Sequence, residues 1–186
     1  MLIVEGPDGA GKTTLIERLA EDLDLPVAPR VVSKDTEFMV DMVDWVELNL
    51  ADGPQRMIFD RHRLISEPIY GPVLRGTMDP GFDNLTWLYA KQQEFRQTNP
   101  FVIFCLPPVE SVLRNVYSDV DNKVVRDHID TIYWLYLNAA SLWTNRSSVW
   151  DYTKDPPGHT VHYDILTSEI QGWIWDLERE RRTSGR

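Results

Sequence analysis

Short apolar runs alternate with longer stretches whose apolar residues recur every three or four positions. Residues 1–5, 26–32, 56–60, 101–106 and 160–163 read as strands. The run at 101–106 is apolar without interruption, the pattern of a strand buried on both faces. Helical spacing predicts helices over 12–23, 36–50, 85–98, 109–116, 127–142 and 168–181. Leu15, Ile16, Leu19, Ala20 and Leu23 share one face of the first helix, and Phe38, Met42, Val46 and Leu50 form a stripe on the second. Asn99-Pro100 stops the third, Pro107-Pro108 opens the fourth, and residues 178–186 are expected to fray. Strands separated by helices predict an α/β fold of three layers, a five-stranded parallel sheet flanked by helices. No repeat or linker divides the chain, so residues 1–186 read as a single domain. In such folds ligands bind beyond the carboxyl ends of the strands.

Composition narrows the function classes. The 186 residues are 42% hydrophobic, enough for one core without disulfide staples, and the lone cysteine, Cys105, excludes a disulfide framework. A formal net charge of −10 opposes broad binding to a phosphodiester backbone, but leaves room for a small nucleotide in a local basic cradle. No run approaches the length of a membrane span and the opening MLIVE lacks a leader's basic region, so no membrane partner is expected and a cytoplasmic location is.

Chemistry enters directly after the first strand. Gly6-Pro7-Asp8-Gly9-Ala10-Gly11-Lys12-Thr13-Thr14 fits G-x-x-x-x-G-K-[ST] at every fixed position and lies between a strand and a helix. Its glycines let the backbone turn tightly and present N–H groups, while the following helix adds partial positive charge. Lys12 is placed to reach the β- and γ-phosphates and the Thr13 hydroxyl to hold Mg²⁺. Gly6, Asp8, Gly9, Ala10, Gly11, Lys12, Thr13 and Thr14 are therefore candidate ATP-binding residues.

This stretch, with Val4-Glu5 before it, resembles the opening of thymidylate kinases and related deoxynucleoside and deoxynucleoside monophosphate kinases, a family with phage members among the expected relatives. Those enzymes carry a second signature at the end of their third strand, which Phe59-Asp60-Arg61-His62 resembles, followed by Ser66 and Tyr70-Gly71 at similar spacing. The two motifs cover about the first 75 residues. The resemblance implies a phosphate-loop kinase fold, Mg-ATP as donor, Asp60 near the Mg²⁺ and the attacking oxygen, and Arg61 at the acceptor. In-line phosphoryl transfer also calls for a carboxylate to orient or deprotonate the nucleophile, and both Asp60 and Asp8 are candidates. His62 reads as a structural hydrogen bonder, and Glu67 is a weaker candidate carboxylate.

The acceptor pocket is expected from residues 30–38, including Arg30 and Phe38, and from helices beside Asp60. Thymidylate kinases place Arg-Glu-Pro after the second strand, where this chain has Arg30-Val31-Val32-Ser33-Lys34. Trp45, Tyr70, Trp87 and Tyr89 are candidates to stack on a base and Gln92 or Gln93 to read its edge, with Tyr70 and Gln92 favoured. A cationic lid over the triphosphate is implied at residues 114–127, with Arg126 as first choice and Arg114 as second for the transition-state cation. By topology, Tyr163-Asp164-Ile165 would border the adenine. The leading expectation is ATP-dependent phosphorylation of a deoxynucleoside or its monophosphate. The alternative is a phage-type 5-hydroxymethyluracil DNA kinase, with Tyr70-Gly71-Pro72-Val73-Leu74-Arg75-Gly76 as a basic loop touching DNA. A homodimer is compatible with either, and a viral member would work in its host's cytoplasm. A guanine-nucleotide switch is disfavoured, because Asn122-Lys123 is followed by Val-Val rather than x-Asp.

Overall fold

The structure, a computed structural model, describes residues 1–29, 42–51, 56–79, 82–119, 123–155 and 159–184. Four strands, β1 (Leu2–Glu5), β2 (Ile58–Asp60), β3 (Phe101–Cys105) and β4 (Ser147–Trp150), form a parallel sheet in the order β2-β1-β3-β4. Their carboxyl ends share one edge, with Val4 opposite Asp60, Glu5 opposite Phe104 and Cys105 opposite Trp150. The chain leaves β1 for β2 on one side and later returns to β3 on the other. Such a reversal opens a crevice above β1.

Seven α-helices accompany the sheet among the described residues: α1 (Lys12–Leu23), α2 (Met42–Ala51), α3 (Arg63–Arg75), α4 (Leu85–Gln97), α5 (Val109–Asp119), α6 (Lys123–Ser141) and α7 (Val161–Ser184). Leu15, Ile16 and Leu19 of α1 are buried, as their spacing predicts. Met1, Leu2, Ile3, Val4 and all of β3 are buried as well, so both central strands are covered on two faces. None of the helices is long and apolar enough to cross a membrane.

Three expectations are corrected. The sheet has four strands rather than five, because the stretch expected as a fifth opens α7. There the Asp155 carboxylate accepts the N–H groups of His162 and Tyr163 (2.9 and 2.7 Å), and the Thr160 hydroxyl donates to Asp164 (2.9 Å). Those caps outweigh the β-branched, aromatic look of the run. The actual last strand, Ser147–Trp150, is half polar and largely exposed, so hydrophobicity conceals it; β3 recruits it through Val102 N–H to Arg146 O (3.1 Å) and Leu106 N–H to Trp150 O (2.8 Å). The predicted strand at 26–32 contributes one parallel bridge, Val27 to Ile58, and its residues 30–32 lie outside the described residues.

Next, the Tyr70–Gly76 loop is instead the carboxyl half of α3, capped by Gly76. Pro68 and Pro72 sit inside this helix. Pro68 has no N–H to offer the Leu64 carbonyl, and the Gln92 side chain supplies one at 3.0 Å. Further along, helices α5 and α6 extend across the window expected as a polar lid, so that only residues 120–122 of it lie outside the description. The expected frayed tail is helical to Ser184, with Glu178 paired to Arg56 (2.9 Å).

Phe104 is fully buried in β3 beside Trp143. Phe104→Ala should cost about 3–5 kcal/mol of stability, read from urea unfolding, because the cavity it leaves lies between sheet and helix.

Candidate active site

The loop from β1 to α1 lies at the crevice. Gly6 adopts φ 141°, and a Cβ there would come within 2.6 Å of the Cys105 carbonyl oxygen of β3. Gly9 adopts φ 75°, and a Cβ there would press to 2.7 Å from Val116 of α5. Glycine is required at both places by conformation and by space. Gly11 precedes α1 without any side-chain cap, which leaves the first N–H groups of that helix available to an anion.

Two cations meet beneath this loop. Lys12 is only 8% exposed, and its ammonium donates to the Pro7 carbonyl (2.7 Å). Burial, reinforced by Arg61, lowers its pKa to about 8. Arg61 follows β2 with φ 69°, and its guanidinium reaches Gly6 O (3.3 Å), Asp8 Oδ1 (2.8 Å) and Tyr70 Oη (2.7 Å). The Tyr70 hydroxyl in turn donates to Asp8 Oδ2 (3.0 Å). Burial disfavours the Asp8 carboxylate, but Arg61 and Lys12 outweigh it and hold its carboxyl below the usual range. Asp8, Arg61 and Tyr70 thus lock the two sequence motifs together. The Nε of Arg61 is buried with no partner among the described residues, a donor suited to an anionic oxygen.

Two cavities flank the loop. One, of about 200 Å³, is lined by Asp60, Arg61, Arg63, Ser66, Glu67, Tyr70 and Arg75, with Ala28, Pro29, Phe59 and Leu74. Glu67 is 2% exposed in it, and its Oε1 accepts from Arg75 and from the Asp79 N–H (2.9 Å). Burial raises its pKa. The other cavity, of about 510 Å³, is lined by Gly11, Thr14, Leu15, Arg18, Asn115, Trp150, Tyr152, Asp155, His159 and Thr160. Asn115 bridges it to the loop by donating to Gly9 O and Tyr152 Oη, each at 2.9 Å.

Of the residues singled out in the sequence, the structure gathers Asp8, Lys12, Asp60, Arg61 and Tyr70 around the loop. Thr13 and Thr14 are exposed at the start of α1, and Ala10 is buried. Arg30 and Phe38 lie outside the described residues, as does the side chain of Trp45. Gln92 does not line the smaller cavity but braces α3, Trp87 donates to Glu47 (3.3 Å), and Tyr89 is 65% exposed. Arg114 lies within α5 and donates to Ser111 (3.1 Å), while Arg126 lies in the first turn of α6; neither lines either of these two cavities. His62 is the structural residue expected, its Nδ1 accepting the Leu64 N–H (3.3 Å) as the cap of α3 and its ring stacked on Phe95. Tyr163 stands behind the larger cavity, under Arg18. No motif carries Arg18, Arg63, Asn115 or Tyr152, and each arrives from a different helix or turn.

Glu5, also overlooked, is fully buried at the end of β1. Its carboxylate accepts the His62 N–H (2.6 Å) and the Tyr136 hydroxyl (3.0 Å). Burial raises its pKa to about 7, against the pull of that N–H and of Arg61, and burial drives that of His62 down to about 3. Between pH 4.5 and about 7 the folded protein keeps a proton on Glu5 that the unfolded chain has released, so this contribution to stability is lost as pH rises through that window. His62 acts oppositely, its contribution being lost as pH falls below 6.5. Glu5→Gln should therefore gain on the wild type by about 1.4 kcal/mol per pH unit across the Glu5 window and then level off. Urea unfolding at pH 5, 6 and 7.5 measures this, and parallel stability curves would contradict it.

No protein-family model matches the sequence, and no curated protein aligns with it significantly. Solved structures do resemble it. The YorR protein of Bacillus subtilis, solved with phosphorylated GDP, is 19% identical with a TM-score of 0.62, covering 96% of this chain and 97% of its own. Deoxyadenosine kinase of M. mycoides with bound dATP is 15% identical with a TM-score of 0.59, covering 91% and 98%. The same enzyme with bound dCTP gives 16% and 0.53, covering 96% and 100%. The likeness establishes the fold: a parallel sheet flanked by helices, as in phosphate-loop kinases.

Proposed function

We propose that the protein transfers the γ-phosphoryl group of Mg-ATP to a deoxynucleoside or deoxynucleoside monophosphate, in the manner of thymidylate kinases and their relatives. The observation that carries this reading is the pair of cavities flanking one phosphate loop. A nucleotide switch needs one such cavity, whereas a transferase needs two that meet at the transferred group. Structural neighbours that include a deoxyadenosine kinase and a protein bound to phosphorylated GDP support the same class.

The larger cavity, beside Gly11, Thr14 and Arg18, would take the donor's base and sugar, with its phosphates on the loop and the uncapped start of α1. Lys12 would meet the β- and γ-phosphates, and the anion would relieve the burial that depresses its pKa. The exposed Thr13 hydroxyl and Asp60 fit Mg²⁺, which typically takes one or two protein oxygens and completes its shell with phosphates and water. When bound, the ion would bridge phosphate oxygens and neutralise developing charge. Asp8 has both oxygens engaged and an acidic carboxyl, so it holds Arg61 and is a poor proton acceptor. The role of base passes to Asp60, which lines the smaller cavity. Arg61 would contact the acceptor end, and Arg126 or Arg114 would supply the transition-state cation. A DNA acceptor loses its motivating loop, since Tyr70–Arg75 is helical and the Tyr70 hydroxyl is committed to Asp8.

A transfer screen with radiolabelled ATP, offering nucleosides, monophosphates and DNA side by side, tests the reading; absence of transfer to every small acceptor would sink it. Lys12→Ala should lower transfer at least about 10³-fold with the fold intact, since it removes the charge aimed at the phosphates. Asp60→Asn should lower kcat by about 10²–10⁴-fold with little change in ATP affinity. An unchanged rate in Asp60→Asn would return Asp8 to the role of base.

A further inference from the structure

The mechanism above leaves the fully buried carboxyl of Glu5 unused. We propose that Glu5, together with Tyr136 of α6, is a positioning residue that fixes the Asp60–Arg61 turn for phosphoryl transfer; this rests on the kinase reading. The sheet pairing explains the need. Arg61 N–H still bonds Val4 O (3.0 Å), continuing the β1–β2 ladder one residue past β2. There the left-handed conformation of Arg61 turns the chain away, and the next N–H, on fully buried His62, is beyond reach of any further strand carbonyl. An orphaned buried N–H is costly, and Glu5 supplies the acceptor from the adjacent strand. Its second oxygen is held by Tyr136, a fully buried phenol whose ring meets Tyr70 edge-on at 6.1 Å.

The consequence is directional. Asp60 and Arg61 are consecutive and both line the acceptor-side cavity, yet Arg61 also folds back on Asp8 and Gly6. A non-glycine residue at φ 69° is held there by its surroundings, and the Glu5–His62 bond is one of the clamps. Were β1 needed only for core packing, an apolar side chain would serve better than a carboxyl, as at Leu2, Ile3 and Val4. The groups facing Glu5 are Arg61, Lys12, His62, Tyr136 and Cys105. With a pKa near 7 the carboxyl is half neutral at physiological pH, so an amide reproduces its pairing, accepting from His62 and donating to Tyr136.

The test is a series of Glu5→Ala, Glu5→Gln and Tyr136→Phe assayed beside wild type and Lys12→Ala, with circular dichroism as the check on folding. Glu5→Ala should lower kcat by about 10²-fold with the KM for ATP nearly unchanged, the size expected when a reacting group is misplaced by about 1 Å. Glu5→Gln should restore kcat to within about threefold of wild type, and Tyr136→Phe, which leaves one oxygen unpaired, should fall between the two. Folded Glu5→Ala with wild-type kcat, or Glu5→Gln no better than Glu5→Ala, would overturn the role. If Glu5→Ala does not fold, an unchanged kcat in Tyr136→Phe overturns it instead. No transfer by the wild type would overturn the kinase reading itself, whereas wild-type transfer with a flat Glu5 series overturns only Glu5.

Discussion

Lys12 and Arg61 bring two positive charges into one buried place, and the arrangement at the carboxyl edge of the sheet follows from compensating them. Placed alone, either cation would be expensive to bury. Asp8 comes from the loop itself to meet Arg61, Tyr70 closes the triangle from α3, and Glu5 adds negative character from beneath. The compensation is incomplete at Lys12, whose ammonium finds one carbonyl and whose pKa remains depressed. A site in this state has a local positive excess within a chain of net charge −10.

The same loop also organises its surroundings sterically. Gly6 lies against β3 and Gly9 against α5, so the loop cannot move without disturbing both. Asn115 extends this contact to Tyr152, tying the wall of the larger cavity to the loop backbone. The α5 helix that carries Asn115 also carries Arg114.

Beside the smaller cavity, helix α3 contains two prolines, residues that ordinarily break helices. It survives because His62 caps its start and Gln92 provides the hydrogen bond that Pro68 cannot. The helix then presents Arg63, Ser66, Glu67, Tyr70 and Arg75 along one wall of the cavity. Arg75 is already paired to Glu67 and Asp79, which leaves a polar wall with internally balanced charge.

Local sequence determined the elements whose signals are local: the apolar β1 and β3, the periodic α1 and α4, and a phosphate loop defined by glycines, lysine and threonine at fixed spacing. It also placed Asp60 and Arg61 at the end of a strand, because a strand end is a local event. Tertiary structure decided what depends on partners distant in the chain. Ser147–Trp150 is a strand because β3 offers an edge, and Val161 begins a helix because Asp155 and Thr160 cap it. Gln92 serves a backbone carbonyl because Pro68 left it bare. The pairing of Asp8 with Arg61 joins residues from separate strand ends, and no pattern of neighbours encodes which way a left-handed residue will aim its side chain. Hydrophobic periodicity reports which face of an element is buried; the identity of the buried polar partner is set by three-dimensional packing.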